Sequence, residues 1–263
     1  MVFEINEANA RTSWKYDQVP KTPGNDSLNN AIAMKFANQG EGEHASIASF
    51  ARHTLQLMTM GAPPTLLMGS QKASLDEIKH ARMCYSVAEA FLGKNVQPND
   101  LEIDGGIKAL SRQDVIKSVI NEGCIGETIA AVQAQLGSQY VRQPMVKNIL
   151  EKIASDESNH AQLAWTTVQW ARNRFPDLRD IIEETFRASL DQPIKKIEKL
   201  PKQFCNDCKN EEVLREHGLL LDVDHHITQN LGIQKVIEPA VLNDFRNVEL
   251  ISNEILKMDF SKY

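Results

Sequence analysis

The chain has few cysteines and few aromatic residues. Four cysteines and 6% aromatic residues occur among its 263 residues. Four cysteines are too few for a disulfide framework at this length, so the fold must be held by an apolar core. Cys84 and Cys124 fall within helical patterns, and we expect both to be buried thiols.

Long apolar runs and an excess of basic residues are missing as well. No stretch approaches the roughly 18 apolar residues that a membrane span needs, so no membrane partner is predicted. The first residues, MVFEINEANA, lack the basic and apolar regions of a signal peptide, which favours a cytoplasmic protein. A formal net charge of -6 argues against a nucleic-acid-binding surface.

What the sequence does contain is helical periodicity. Apolar residues recur at spacings of three and four in four segments, near residues 28–60, 63–92, 111–138 and 143–173. Turn signals containing proline separate the first pair and the last pair of segments. The pattern predicts an all-α fold.

The connection over residues 93–110 is longer than the other two and has no helical pattern. Eighteen extended residues reach about 60 Å, whereas a bundle helix of roughly 26 residues is about 39 Å long. The connection can therefore run the full length of a bundle. Short, long and short connections are typical of a four-helix bundle with one crossover between helices 2 and 3.

These patterns divide the chain into three parts. Residues 1–26 are predicted to form an irregular N-terminal arm, and residues 27–175 to form the four-helix bundle. Residues 176–263 are predicted to form a C-terminal helical extension, with helices near 177–195 and 236–245.

One short pattern occurs twice, 80 residues apart. Asp76-Glu77-Ile78-Lys79-His80-Ala81 and Asp156-Glu157-Ser158-Asn159-His160-Ala161 both read DExxHA. In each copy the glutamate and the histidine fall on the apolar face of the predicted helix. Burying a carboxylate costs several kcal/mol even after relaxation, so these side chains need partners inside the fold.

The other two predicted bundle helices offer such partners. Glu43 lies on the apolar face of the first helix and Glu127 on that of the third, and each follows a glycine. The chain thus repeats a unit in which a Gly-Glu helix precedes a DExxHA helix. Glu122 lies on an alternative face of the third helix and remains open as the true ligand or as an additional carboxylate.

Four glutamates and two histidines in one interior form a plausible metal site. Their formal charge of -4 is what two divalent cations neutralise, and oxygen and imidazole donors favour iron or manganese over structural zinc. Asp76 and Asp156 each precede a ligand glutamate, and we expect them to accept hydrogen bonds from the outer nitrogens of the histidines, across the bundle. No catalytic residues are predicted beyond the metal ligands.

Less specific interpretations stay open. The Glu and His set could form structural ion pairs, although lysine and arginine are absent from the four apolar faces that carry it. His44 and His53 lie off the Glu43 face and fit surface or supporting roles. The pair Cys205 and Cys208 could form a small zinc site with downstream histidines, or an exposed loop with two free thiols. Those histidines are His217, His225 and His226.

The spacing E, ExxH, E, ExxH over residues 28–173 resembles the ferritin-like di-iron carboxylate superfamily, in particular its rubrerythrin-like and bacterial ferritin-like members. The resemblance implies two iron ions, with manganese as an alternative. It implies that Glu77 and Glu157 bridge the metals, that Glu43 and Glu127 are terminal ligands, and that each histidine caps one metal. The chain departs from rubrerythrin because two downstream cysteines cannot supply a four-thiolate iron site, and from storage ferritin in its C-terminal extension.

We therefore expect an oxidoreductase that activates O2 to oxidise or oxygenate a small organic substrate. An oxygenase would also need an electron donor, and such bundles can form homo-oligomers. Small residues on the third helix are expected to leave room for a substrate pocket; these are Gly123, Ala130, Ala131 and Ala134. The alternatives are an iron-handling or peroxide-detoxifying protein, and a metal-stabilised scaffold without catalysis.

Overall fold

The computed structural model describes residues 26–102, 111–190 and 211–260, and within these ranges every regular element is helical. The predicted all-α class is confirmed. Residues 1–25 of the predicted arm and residues 103–110 of the predicted crossover lie outside the described residues.

Four long helical segments correspond to the four predicted ones. They are α1 (Asp26–Thr59), α2 (Pro64–Leu92), a composite third segment, and α5 (Pro144–Arg174). The third segment consists of α3 (Arg112–Ser118), a π-helix (Val119–Glu127) and α4 (Thr128–Tyr140). Asp26 already belongs to α1, one residue before the expected start of the bundle.

The π-helix is the main difference from the expected third helix, which was predicted to be continuous. Its hydrogen bonds join residues five apart instead of four, which widens the turn. Gly123 and Gly126 lie within it, and glycine weakens the preference for α-helix. Thr128 donates a hydrogen bond from Oγ1 to the carbonyl oxygen of Cys124 at 2.6 Å, where the chain returns to α-helix.

The helix ends follow local chemistry. Pro64 begins α2, and Gly93 ends it in the left-handed conformation (φ +67°), donating its N–H to the Glu89 carbonyl at 2.8 Å. Ser111 accepts a hydrogen bond from the Asp114 N–H at the start of α3. The Gln143 side chain accepts one from the Val146 N–H at 2.7 Å at the start of α5.

The long segments pack in pairs. α1 lies along α2, and α5 lies along the π-helix and α4. α2 also contacts α5, which joins the two pairs. Among the described residues, no helix combines the length and the apolar character needed to cross a bilayer.

The remaining helices cover the second pair. They are a 3-10 turn (Pro176–Leu178), α6 (Arg179–Leu190), α7 (Glu211–Glu216), α8 (Asp222–Gly232), a short π-helix (Ile233–Ile237), α9 (Glu238–Leu242), a 3-10 turn (Val248–Leu250) and α10 (Ile251–Leu256). α6 packs on α3 and the first π-helix, α8 on α4, and α10 on α4 and α5. Residues 191–195 of the helix expected at 177–195 lie outside the described residues.

Two apolar clusters occupy the core, with a polar layer between them. One cluster joins α1, α2 and the first half of α5, and includes Phe36, Val87 and Ile153. The other joins the π-helix, the second half of α5 and the C-terminal helices, and is centred on the fully buried Trp165. Along α5, the residues between Ala154 and Ala161 separate the clusters, and the second DExxHA motif lies there.

Candidate metal centre

All six predicted ligands converge on this polar layer. Glu43 comes from α1, Glu77 and His80 from α2, Glu127 from the end of the π-helix, and Glu157 and His160 from α5. The i, i+3 spacing places each histidine on the same helix face as its glutamate. Both histidines are at most 3% exposed, and Glu77 and Glu157 at most 4%.

The first imidazole faces three carboxylates. His80 Nδ1 lies 3.3 Å from Glu157 Oε1, 3.5 Å from Glu43 Oε2 and 3.8 Å from Glu77 Oε2. The ligand atoms of these four residues all lie within 4.8 Å of one another. They form a donor group large enough to surround one cation.

The second imidazole faces the same two central carboxylates. His160 Nδ1 lies 3.0 Å from both Glu77 Oε1 and Glu157 Oε2. Ligand atoms of Glu127, Glu157 and His160 form a second group within 4.8 Å. Glu77 and Glu157 therefore stand between the two histidines, where carboxylates that bridge two cations would lie.

Aspartates from the opposite helix face the outer nitrogens. His80 Nε2 is 3.0 Å from Asp156 Oδ2, and His160 Nε2 is 3.9 Å from Asp76 Oδ2. Both contacts cross between α2 and α5 as expected, but only the first is within hydrogen-bond distance. Such contacts point Nδ1 of each ring into the cluster.

The aspartates and the glutamates differ in how their charges are balanced. Lys72 and Lys79 contact Asp76 at 3.2 Å and 2.8 Å, and Lys152 contacts Asp156 at 2.6 Å. In the described part of the chain, the salt bridges to the inner glutamates come from the two histidines instead. Among the residues that the structure describes, the four inner carboxylates thus share two imidazoles and have no lysine or arginine within salt-bridge distance.

The crowding of carboxylates changes their pKa values. Burial, followed by the nearby charges of Glu157 and Glu77, raises the pKa of Glu43 to about 8. Burial and the same kind of repulsion raise the pKa of Glu127 well above its usual range. Burial works in the same direction on Glu157, but the imidazoles of His160 and His80, 3.0 Å and 3.3 Å away, outweigh it and hold its pKa below the usual range.

The histidines respond in the opposite sense. Burial alone would lower the pKa of His80, but Asp156 and then Glu157, Glu43 and Glu77 raise it far above its usual value. Burial also opposes protonation of His160, yet Glu157 and Glu77 raise its pKa to about 9. Without a cation, protons on these groups offset the charge of the cluster.

Three buried atoms of the cluster have no hydrogen-bond partner among the described residues, namely Glu77 Oε2, His80 Nδ1 and His160 Nε2. Orphaned donors and acceptors are uncommon in protein interiors and indicate a missing partner. For Glu77 Oε2 and His80 Nδ1, which lie 3.8 Å apart in the first donor group, a cation held by that group would supply it. The donor set of carboxylate oxygen and imidazole nitrogen fits iron or manganese.

The structure separates the two glutamates that the sequence left open on the third helix. Glu127 belongs to the cluster, whereas Glu122 is not part of it and pairs with Arg52 at 2.8 Å between Oε2 and Nη2. The Glu122 side chain is 59% exposed. Glu122 and Glu127 are five residues apart, and both lie within the π-helix.

A cavity of about 260 Å³ borders the cluster at His160 and Glu127. Its walls come from α1, the end of α3, the π-helix and α5. The other lining residues are Ser46, Ser49, Phe50, Arg52, His53, Gln56, Ser118, Val119, Glu122, Gly123, Leu163 and Ala164. Gly123 lines it as expected, but Ala130, Ala131 and Ala134 do not. Sequence patterns missed the contribution of α1, because most of its lining residues are polar or small and lie off the apolar face.

The other histidines and cysteines considered as site residues lie outside the cluster or outside the described residues. His53 lines the cavity, and burial together with Arg52 lowers its pKa to about 4. His217 Nδ1 lies 2.8 Å from the Val213 carbonyl oxygen. Cys205 and Cys208 lie outside the described residues, so the alternative zinc site stays a prediction.

Comparison with known proteins returns no match to any family model, curated protein or solved structure. The function must therefore be inferred from the site itself.

Proposed function

We propose that the chain is a ferritin-like di-metal carboxylate oxidoreductase that binds two iron ions, or two manganese ions, and uses O2 to oxidise or oxygenate a small organic substrate. The observation that carries this proposal is the cluster of four glutamates and two histidines, all buried except the half-buried Glu127, that no lysine or arginine neutralises in the described part of the chain. Two divalent cations would balance the formal charge.

The ligand roles follow from the distances. Glu43 and His80 would hold one ion, and Glu127 and His160 the other. Glu77 and Glu157 would hold both, since each contacts both histidines. The bound metals would supply the electrons and the oxygen-binding positions for O2 activation.

The protein itself would position the ligand side chains and exclude bulk water from them. Asp156 holds the His80 ring with Nδ1 directed inward, whereas Asp76 lies 3.9 Å from His160 Nε2. Apolar clusters on both sides of the polar layer keep bulk water away from the ligands. Among the four long helical segments, the long connection lies between α2 and α3, which fits the crossover of a ferritin-like bundle.

The cavity beside the cluster supports an organic substrate. Storage or detoxification of iron or peroxide needs only a path for small ions or molecules, whereas this cavity has room for a molecule of several carbon atoms. It touches His160 and Glu127, so a bound molecule would lie next to one metal position.

Metal content provides the first test. The chain is reconstituted with Fe(II) without oxygen, freed of loose metal and analysed for iron, in parallel with Glu157→Ala and with Glu151→Ala, an exposed glutamate on the same helix. We expect about two iron ions per wild-type chain and per Glu151→Ala chain, and fewer than one in Glu157→Ala. Near-zero iron in the wild type overturns the proposal.

The reaction with O2 separates the functional classes. The iron-loaded wild type is mixed with O2, with and without excess Fe(II), and oxygen uptake is followed. Uptake of about one O2 per iron pair fits an oxidase or oxygenase. Sustained turnover of many Fe(II) ions per chain would favour iron handling instead, and no uptake would favour a metal-stabilised scaffold.

A further inference from the structure

The cavity beside the metal centre is elongated. On α1 its lining residues run from Ser46 to Gln56, a distance of about 15 Å at the rise of an α-helix. His160 and Glu127 also line it, and both belong to the metal cluster. Glu43 precedes Ser46 on α1, so the Gln56 end is the end remote from the cluster.

Two unused hydrogen-bond donors mark that remote end. Arg52 Nε and Gln56 Nε2 are buried and have no partner among the described residues. Arg52 and Gln56 are four residues apart on α1, so they lie side by side on one face of the helix. Gln56 is only 8% exposed. Buried donors without an acceptor are costly, so both donors call for an acceptor that the described residues do not supply.

The chemistry of the donors indicates what kind of acceptor is missing. One guanidinium N–H of Arg52 already serves Glu122, through Nη2 at 2.8 Å. Arginine offers five N–H groups in a planar fork, and here the Nε N–H is left for a second acceptor. The amide N–H of Gln56 adds a neutral donor beside this charge. A planar anion with two oxygens satisfies both donors at once.

The rest of the cavity lining is mostly apolar and fits a ligand with a hydrocarbon skeleton. Phe50, Val119, Leu163 and Ala164 supply hydrocarbon surface between the remote end and the cluster. The Phe50 ring lies edge-on to the His160 ring, with 5.0 Å between the centroids. A ligand with a carboxylate at one end would rest its carbon skeleton on these walls.

We infer that the cavity binds a small organic carboxylate, with the carboxylate held by Arg52 Nε and Gln56 Nε2 and the opposite end of the molecule directed toward His160 and Glu127. This names the substrate class of the proposed oxidoreductase and rests on that function for the reaction. Recognition of the carboxylate itself requires only the cavity.

Binding of a matched series of compounds tests this inference. The probe is 4-phenylbutanoate, compared with 4-phenyl-1-butanol and 4-phenylbutylamine, which keep the carbon skeleton and replace the anion. Calorimetric titration is done with the full chain, both iron-loaded without oxygen and metal-free. We expect the acid to bind at least about tenfold more tightly than the alcohol in both forms, because charge-assisted hydrogen bonds are the stronger ones. The amine is expected to show no binding.

Variants assign the preference to the two donors. Arg52→Leu and Gln56→Leu should each reduce the preference for the acid by about tenfold, the effect of losing one good polar contact. Arg142→Leu is the matched control, because Arg142 also pairs with a glutamate, Glu216 at 2.8 Å, and does not line the cavity. Arg52→Lys keeps the positive charge but lacks the planar guanidinium group, and it replaces Arg52→Leu in the test if the leucine variant fails to fold. Its preference should fall between those of the wild type and Gln56→Leu.

The outcomes separate this inference from the proposed function. Equal binding of acid and alcohol, no binding of any probe, or an acid preference that survives both Gln56→Leu and the Arg52 variant overturns the inference, whatever the metal content. A chain that prefers the acid but takes up no iron keeps the carboxylate site and loses the oxidoreductase. Binding of the acid by the iron-loaded form alone would assign the carboxylate to the metals, and would also overturn the inference.

Discussion

His80 Nε2 lies 3.0 Å from Asp156 Oδ2, so a histidine of the first DExxHA motif is held by an aspartate of the second. The reverse contact, from His160 to Asp76, spans 3.9 Å. The second motif therefore positions the imidazole of the first, so a change at Asp156 should alter the ligand His80 on the opposite helix.

Replacing Asp156 by asparagine should weaken metal binding without removing a ligand. Loss of a contact that orients a ligand histidine typically lowers metal affinity by about 10- to 100-fold. Fe(II) affinity is measured without oxygen by competition with a coloured chelator. Asp177→Asn, at an exposed acid in the turn after α5, is the control and should leave the affinity unchanged. Equal affinities for Asp156→Asn and the wild type would contradict the positioning role.

Gly123→Ala should destabilise the fold. A Cβ atom at Gly123 would lie 2.5 Å from the Ala164 Cβ, so the π-helix and α5 would have to move apart. Overpacking of this kind costs about 1–3 kcal/mol in the free energy of unfolding. Gly42→Ala is the control, because nothing lies within 4 Å of an added Cβ there, and removing a helical glycine should stabilise by about 0.5–1 kcal/mol. Urea unfolding measures the change in the free energy of unfolding of both variants, which should be negative for Gly123→Ala and positive for Gly42→Ala. Destabilisation of equal size in both would contradict the packing argument.

Trp165→Ala should cost about 3–5 kcal/mol in the free energy of unfolding, the range for truncating a buried large aromatic residue. Trp165 is fully buried, and its ring stacks on Phe186 of α6 with 5.2 Å between the centroids. Phe245 lies against the same ring at 6.2 Å. Leu242→Ala provides the contrast, because Leu242 is 84% exposed and its truncation should change stability by less than about 0.5 kcal/mol. A small effect of Trp165→Ala would mean that the C-terminal helices do not share the core of α5.

Lys35 gives the fold a pH dependence on the alkaline side. Burial lowers its pKa to about 8 from 10.5, although Cys84 and Asp224 act in the opposite direction. The charged form is disfavoured in the folded state, so the destabilisation is complete below pH 8. Between pH 8 and 10.5 the unfolded chain binds more protons at this residue, and the Lys35 contribution to stability rises with pH.

Lys35→Met should therefore stabilise the chain at pH 7, by about 1–2 kcal/mol after allowance for its partial exposure. The gain should shrink as the pH rises from 8 toward 10. Urea unfolding at pH 7, 8, 9 and 10 measures it, with Lys147→Met as the exposed control. A gain that stays constant over this range would contradict the lowered pKa.

The four long helices could be predicted from the sequence, because the spacing of their apolar residues agrees with the positions of the proline and glycine residues at their ends. Pro63, Pro64 and Gly93 mark the ends of α2 in both descriptions. The ligand set could be predicted for the same reason, since Glu157 and His160 interrupt an otherwise apolar face that carries no lysine or arginine. Their ability to bind metal stays a prediction.

The π-helix and the cavity could not be predicted from the sequence. A window that counts matches to a 3.6-residue period cannot detect five-residue hydrogen bonding, because Gly123 and Glu127 still fall on an acceptable helical face. The cavity depends on how α1 meets the π-helix and α5, and no local pattern sets that. The unused donors Arg52 and Gln56 look like ordinary surface residues when only their positions on α1 are known.

The reciprocal contacts between the two DExxHA motifs have a consequence for symmetry. Two copies of a chain carrying a single Gly-Glu and DExxHA unit would build the same contacts around a twofold axis, because each unit completes the other. In this chain the two halves are not equivalent. Only the second half contains the π-helix, and the cavity touches His160 and Glu127 but not His80 or Glu43. One metal position would thus meet the substrate directly, while its counterpart would be enclosed by protein.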